Sequence, residues 1–133
     1  MSRDGFEPRF DIDYERGLIG EKLVGTFLDA LAGSKIEVKT DYQAWRTGNV
    51  YVETYQRTKT GEWIPSGINV SQAEWYCIAG PTGAGFIAIR RKVLYELAKR
   101  SPRSSCNTAS QHTNASIGRL VRVSDIIAEL TKA

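Results

Sequence analysis

The amino-acid sequence predicts a mixed α/β fold: one central sheet of mixed strand direction, flanked by helices, with a β-hairpin at one corner. Three observations lead there. Apolar residues recur at helical spacing between residues 14 and 31, at Leu23, Val24, Phe27, Leu28 and Leu31. Four later runs carry strand patterns, two alternating or β-branched and two continuously apolar. Two amphipathic segments near the end then read as helices.

In chain order, residues 1–13 are rich in charge, carry Pro8, and read as a loose lead-in to the first helix. Asp13 is placed as its N-cap and Gly33 as its stop. Residues 35–41 alternate apolar with charged side chains, the pattern of a strand with one wet face. Residues 46–49 read as a turn into a second strand over 50–56, and the two strands are expected to pair as a hairpin. A polar loop follows, then a short helical turn at 71–74 and apolar strands at 75–79 and 85–89, both expected in the middle of the sheet. Residues 91–100 form a basic helix with Val93, Leu94 and Leu97 inward. The Ser/Thr/Asn-rich stretch 101–116 reads as a mobile loop, 120–123 as a last strand, and Ser124 as the cap of a closing helix.

The chain has 133 residues, enough for a single domain with its own core. Its 41% hydrophobic and 25% charged content excludes bulk disorder, and no apolar run approaches a membrane span. No apolar signal region opens the chain, and two cysteines make no disulfide framework, so the expected setting is the cytoplasm. With His112 as the sole histidine, His-rich zinc sites and Ser-His-Asp triads are disfavoured. Charge is unevenly spread: residues 1–89 hold nine basic and twelve acidic side chains, residues 90–133 nine and three. Such a division suits a carboxylate site beside an anion-binding surface; separately solvated faces are the plain alternative.

The acidic side chains carry the chemistry. Glu37, Lys39 and Asp41 share one strand face by alternation, with Ile36 and Val38 on the core side. Glu53, in the partner strand, reaches Asp41 if the hairpin sets them opposite one another. Glu21 borders the apolar stripe of the first helix and would be aimed at the same corner. Clustered carboxylates repel unless a cation sits among them, and oxygen ligands suit Mg²⁺ or Mn²⁺. Such an ion activates water and neutralises phosphoryl charge, and Lys39 is positioned to assist. For each residue the alternative is an ordinary solvated face or a cross-strand pair such as Glu53 with Lys39.

The segments Glu37-Val-Lys-Thr-Asp41, Thr47-Gly-Asn49 and Tyr51-Val-Glu53, with the later Pro65-Ser-Gly-Ile68 and Ala73-Glu-Trp75, resemble small phage-type members of the PD-(D/E)XK nuclease superfamily. The likeness covers roughly residues 15–80. It implies a restriction-endonuclease-like αβββαβ core and metal-dependent hydrolysis of DNA phosphodiesters, in the host cytoplasm for a phage-encoded chain. Glu21, Asp41 and Glu53 match its acidic, metal-binding positions. One position departs from the pattern: Tyr55 stands where the usual lysine follows the glutamate, and Lys39 resembles a relocated lysine.

For the partner, Arg46, Arg90, Arg91 and Lys92 are candidates to contact DNA phosphates, continued by Lys99, Arg100 and Arg103. Trp45, Trp63 and Trp75 could stack bases, though strand aromatics more often fill a core. No recognition helix is evident, so selectivity for DNA structure is expected over sequence, junction resolution by a symmetric homodimer being one form. The alternatives are a nucleic-acid-binding or assembly module on the same fold that has lost catalysis, and a scaffold with an acidic surface. Cys77 reads as a buried thiol and His112 as exposed and silent.

Overall fold

A computed structural model describes residues 8–33, 35–109 and 114–132. The chain falls into two compact units, residues 1–35 and 36–133. The first is a single helix, α1 (Pro8–Ala32). It starts before the expected cap, so residues 8–13 are helical rather than loose and Asp13 lies inside the helix. Pro8 explains the early start: a first helical residue needs no N–H partner, and the fixed φ of proline suits that position. The helix ends where Gly33 is reached, its N–H donating to the carbonyl of Asp29 at 2.9 Å. Leu23, Val24, Leu28 and Leu31, expected as a buried stripe, are exposed. No helix among the described residues is long and apolar enough to cross a membrane.

The second unit holds β1 (Ile36–Thr40), α2 (Tyr42–Thr47), β2 (Asn49–Arg57), β3 (Trp63–Pro65), a 3₁₀ turn (Gly67–Asn69), β4 (Trp75–Ala79), β5 (Phe86–Arg90), α3 (Arg91–Arg100), β6 (Ser104–Asn107), β7 (Ser116–Arg122) and α4 (Val123–Leu130). The mixed α/β class is therefore as expected, but the strands form two sheets rather than one. One runs β1-β4-β5, with β1 parallel and β5 antiparallel to β4; the other runs β3-β2-β7-β6, antiparallel throughout.

The expected hairpin of β1 with β2 does not form. Asp41 leaves the strand and caps a helix: its Oδ1 accepts the Ala44 N–H at 3.0 Å, the ordinary N-cap bond. Gly48 ends that helix in the left-handed region (φ 77°), which glycine adopts without a Cβ penalty. Six helical residues thus separate the strands, and each pairs elsewhere, β1 with β4 and β2 with β7 and β3. The turn read at 46–49 is the end of this helix. Val38, expected toward the core, is 63% exposed on the outer side of an edge strand.

Other differences have local causes. The Ser71–Glu74 segment is not helical; the helical turn comes earlier, at Gly67–Asn69. Within the stretch expected to be a mobile loop, β6 pairs with β7 through backbone groups that small polar side chains do not advertise. Strand β7 is longer than expected, and α4 starts at Val123 with no side-chain cap, so Ser124 does not cap it. The Val123 N–H instead donates to the Gly48 carbonyl at 2.8 Å. Strand β4 is central and buried as expected, whereas β5 is an edge.

The core joins Val50 and Val52 of β2, Ile68, Tyr76 and Ile78 of β4, Leu94 and Leu97 of α3, Val121 and Ile126. Between β2 and β7 the register slips at Thr54: Glu53 pairs with Gly118 and Tyr55 with Ile117, a β-bulge. Gly118 lets the strands approach here, since a Cβ on it would lie 2.4 Å from the Val52 carbonyl oxygen and 2.9 Å from the Tyr51 ring. Both are held by the sheet and neither can withdraw. Gly118→Ala is accordingly expected to destabilise the protein by roughly 2–4 kcal/mol, read as a lowered urea midpoint.

Candidate functional site

Elements from both sheets of the second unit converge on one cavity of about 520 Å³. Its polar lining includes Lys39 from β1, Asp41 from the cap of α2, Glu53 from β2 and Tyr76 from β4. Val50, Val52, Ile68, Ile78 and Leu94 supply an apolar floor. Such a mixture, a few polar groups on an apolar base, is the usual make-up of a ligand site.

Asp41 is the best-anchored of these groups. Besides capping α2, its Oδ2 accepts the Tyr51 N–H at 2.9 Å. One carboxylate thus ties the start of α2 to the start of β2. Each oxygen still has a lone pair beyond the one taken by its N–H. Glu53 is half-buried, and its position is set by a close approach: a Cβ on Gly67 (φ 55°) would lie 2.3 Å from the Glu53 carbonyl oxygen. The 3₁₀ turn therefore packs flat against Glu53, held by Ser66 N–H and the Asn69 amide, both donating to the Thr54 carbonyl at 2.9 Å. Gly67 and Asn69 were not singled out for this role; only the Pro65-Ser-Gly-Ile68 likeness pointed to the segment.

Lys39 lies on the same face of β1 as Glu37, and their ion pair measures 2.9 Å. Burial disfavours the lysine's charge, but the Glu37 carboxylate, with smaller help from Tyr76 and Glu53, outweighs it and holds the ammonium above the ordinary lysine value. At neutral pH Lys39 is therefore a cation and hydrogen-bond donor, not a base. The Tyr76 hydroxyl is buried with no partner at hydrogen-bonding geometry; burial raises its pKa and neighbouring Ser71 opposes the rise. Tyr51 is likewise pushed up by burial against its bond to Ser116 Oγ at 2.8 Å.

The bulge bears on the departure at Tyr55. Glu53 lines this cavity, while Tyr55 lines a separate one of about 330 Å³ beside Tyr95 and Lys99. The residue two places after the glutamate is thus turned away from it, and the amine at the carboxylates is that of Lys39. The expected face shared by Glu37, Lys39 and Asp41 holds for the first two only, because Asp41 is outside the strand.

The remaining candidates are not among the residues that line this cavity. Glu21 is exposed on α1 in the N-terminal unit. Arg46 is exposed on α2 and donates to Gln43. Arg90 stacks over Trp75 at 4.7 Å and pairs with Glu74 at 3.4 Å, and Arg91 Nε donates to the Ala73 carbonyl at 2.7 Å, so both brace the entry to α3. Lys92 is exposed; Trp45 and Trp63 are exposed and Trp75 is buried. Cys77 is a buried thiol, its pKa raised by that burial. His112 lies outside the described residues.

Among the described residues, no group of three or more His, Cys, Asp or Glu side chains could hold a metal ion. Two carboxylates line the cavity, and Mg²⁺ is ordinarily held by one or two carboxylates with water and phosphate oxygens completing the shell. In number and chemistry the two carboxylates present fit that mode. The fold and the cavity define a mixed α/β protein with an acid-and-lysine pocket. No protein-family model, curated protein or solved structure matches the chain.

The raised Lys39 pKa gives a signed expectation. Its contribution to stability is complete below the unfolded lysine value and is lost as pH rises through the higher folded value. Glu37→Gln removes the largest of the raising influences, so the Lys39 pKa should fall. Titration of the Cε resonance of labelled lysine, compared with Lys39→Met for assignment, measures the direction.

Proposed function

We propose that this chain is a metal-dependent nuclease hydrolysing DNA phosphodiester bonds, an endonuclease that reads DNA structure rather than sequence. One observation carries the reading: Lys39, Asp41 and Glu53, which belong to β1, the cap of α2 and β2, line one cavity. Asp41 and Glu53 would hold Mg²⁺ or Mn²⁺. When bound, such an ion supplies polarisation of a phosphoryl oxygen and acidification of a bound water.

The chain's own groups do the rest. The Lys39 ammonium, kept charged by Glu37, offsets negative charge as water adds to phosphorus and the P–O ester bond breaks. Asp41 is held in place by the two N–H groups it accepts, so it loses little freedom on binding. The apolar floor limits water around the reacting phosphate. Glu21 is the third acidic position of the resemblance, and its role is part of the same proposal. Cytoplasmic action, and pairing of two copies to cut both strands of a duplex or junction, belong to this reading too.

A second reading, a nucleic-acid-binding module without catalysis on the same fold, is favoured by the use of both Asp41 oxygens in a backbone clamp and by Tyr55 after Glu53. A plasmid assay separates the two. With Mg²⁺ or Mn²⁺ the protein should nick supercoiled DNA. Lys39→Met should slow nicking about 10²-fold or more, Glu53→Gln and Asp41→Asn comparably, and chelation should stop it. Nicking that persists in Glu53→Gln and Lys39→Met would remove the site assignment. Binding without nicking would favour the module.

A further inference from the structure

A second cleft, of about 500 Å³, opens between α3, β7 and α4 in the same unit. Four basic side chains line it, Arg100, Arg103, Arg122 and Lys132, against two acidic ones, Asp125 and Glu129. Glu129 is taken up within the rim: Arg100 Nη2 lies 3.1 Å and Lys132 Nζ 2.8 Å from its Oε1. The Lys132 hydrogen bond, with Arg100 adding to it, holds that carboxylate below its ordinary range, so it stays ionised and keeps both cations at the rim.

Arg103 and Arg122 are different. Among the described residues neither is in an ion pair. Arg103 Nη1 donates to Asn49 Oδ1 at 2.9 Å, and Asn49 is the register partner of Arg122. The two guanidiniums are therefore brought together at the start of β2, each with donors left over. Asp125 also lines the cleft, in no ion pair among the described residues, so the basic side chains of the lining outnumber the acidic ones four to two. Guanidiniums not taken up by a carboxylate find partners on a polyanion, where their fork matches a phosphate.

The cleft also has a direction. Leu120 lines both it and the carboxylate cavity, so the two meet at this residue of β7. We propose that the α3–β7–α4 cleft holds the phosphodiester backbone of DNA flanking the strand presented to Lys39, Asp41 and Glu53. An acidic peptide would also satisfy the charge and is the competing outcome of the test; DNA is favoured because the cleft shares Leu120 with the cavity proposed above to act on DNA. The location rests on the nuclease reading; the binding does not require cleavage.

The test is equilibrium binding in chelator, where no cutting occurs. Fluorescence anisotropy of a short labelled duplex is followed across a salt series, with polyglutamate measured in parallel. Arg103→Ala/Arg122→Ala should weaken duplex binding roughly tenfold near 0.1 M salt and lower the salt slope by about two. Arg103→Lys/Arg122→Lys should recover most of the slope, because charge is restored without the fork. Arg90→Ala should change neither, its guanidinium being spent on Trp75 and Glu74. Unchanged affinity and slope in the double alanine variant, with its thermal unfolding intact, would overturn the proposal, as would tighter binding of polyglutamate than of DNA. A duplex-binding wild type that fails to nick plasmid would overturn the nuclease reading and leave this one standing.

Discussion

One carboxylate organises the second unit. Asp41 accepts two backbone N–H groups, from Ala44 and Tyr51, that belong to different elements. The first bond starts a helix too short to be stable alone, and the second fixes where the chain enters β2. Because β1 and β2 lie in different sheets, this clamp is what relates the sheet carrying Lys39 to the sheet carrying Glu53. A charged acceptor makes both bonds stronger than a neutral one would. The same group that faces the cavity therefore also builds it, which couples any chemistry of Asp41 to the local fold.

Two backbone irregularities finish the arrangement. The bulge at Thr54 lets β2 keep Val50 and Val52 in the core and then turn Glu53 and Tyr55 to separate cavities. Two glycines sit where β2 is approached most closely, Gly67 against Glu53 and Gly118 against Val52. Bulges and glycine contacts of this kind cluster where a strand must aim a side chain rather than continue a ladder. Here the effect is to seat an acid beside a lysine drawn from the other sheet. With the register shifted at Thr54, the side chain at position 55 lines a different cavity from that of Glu53.

Much of the secondary structure was legible. The helix at 91–100, the central strand at 75–79 and the strand around Glu53 follow from periodicity and β-branched content, signals that need no knowledge of neighbours. Helix α2 was missed although Asp41 and Gly48 bracket it as cap and stop, because Asp41 also completes the alternation of the preceding strand. Strand β6 was hidden because its small polar residues pair by backbone alone. The basic residues show the same limit. Charge density points equally to Arg90 and to Arg122, and only packing shows that the first is braced on Trp75 while the second stands by an open cleft.

What the sequence by itself determined was the class of fold and a set of side chains, Lys39, Asp41 and Glu53, that line one cavity. How they come together was decided by tertiary structure. Strand pairing depends on which backbone edges meet in space, and hydrophobic alternation is satisfied equally by a hairpin or by two strands in separate sheets. The choice fell to a helix of six residues and to a pair of hydrogen bonds on Asp41, one local from Ala44 and one that only the folded Tyr51 backbone could supply.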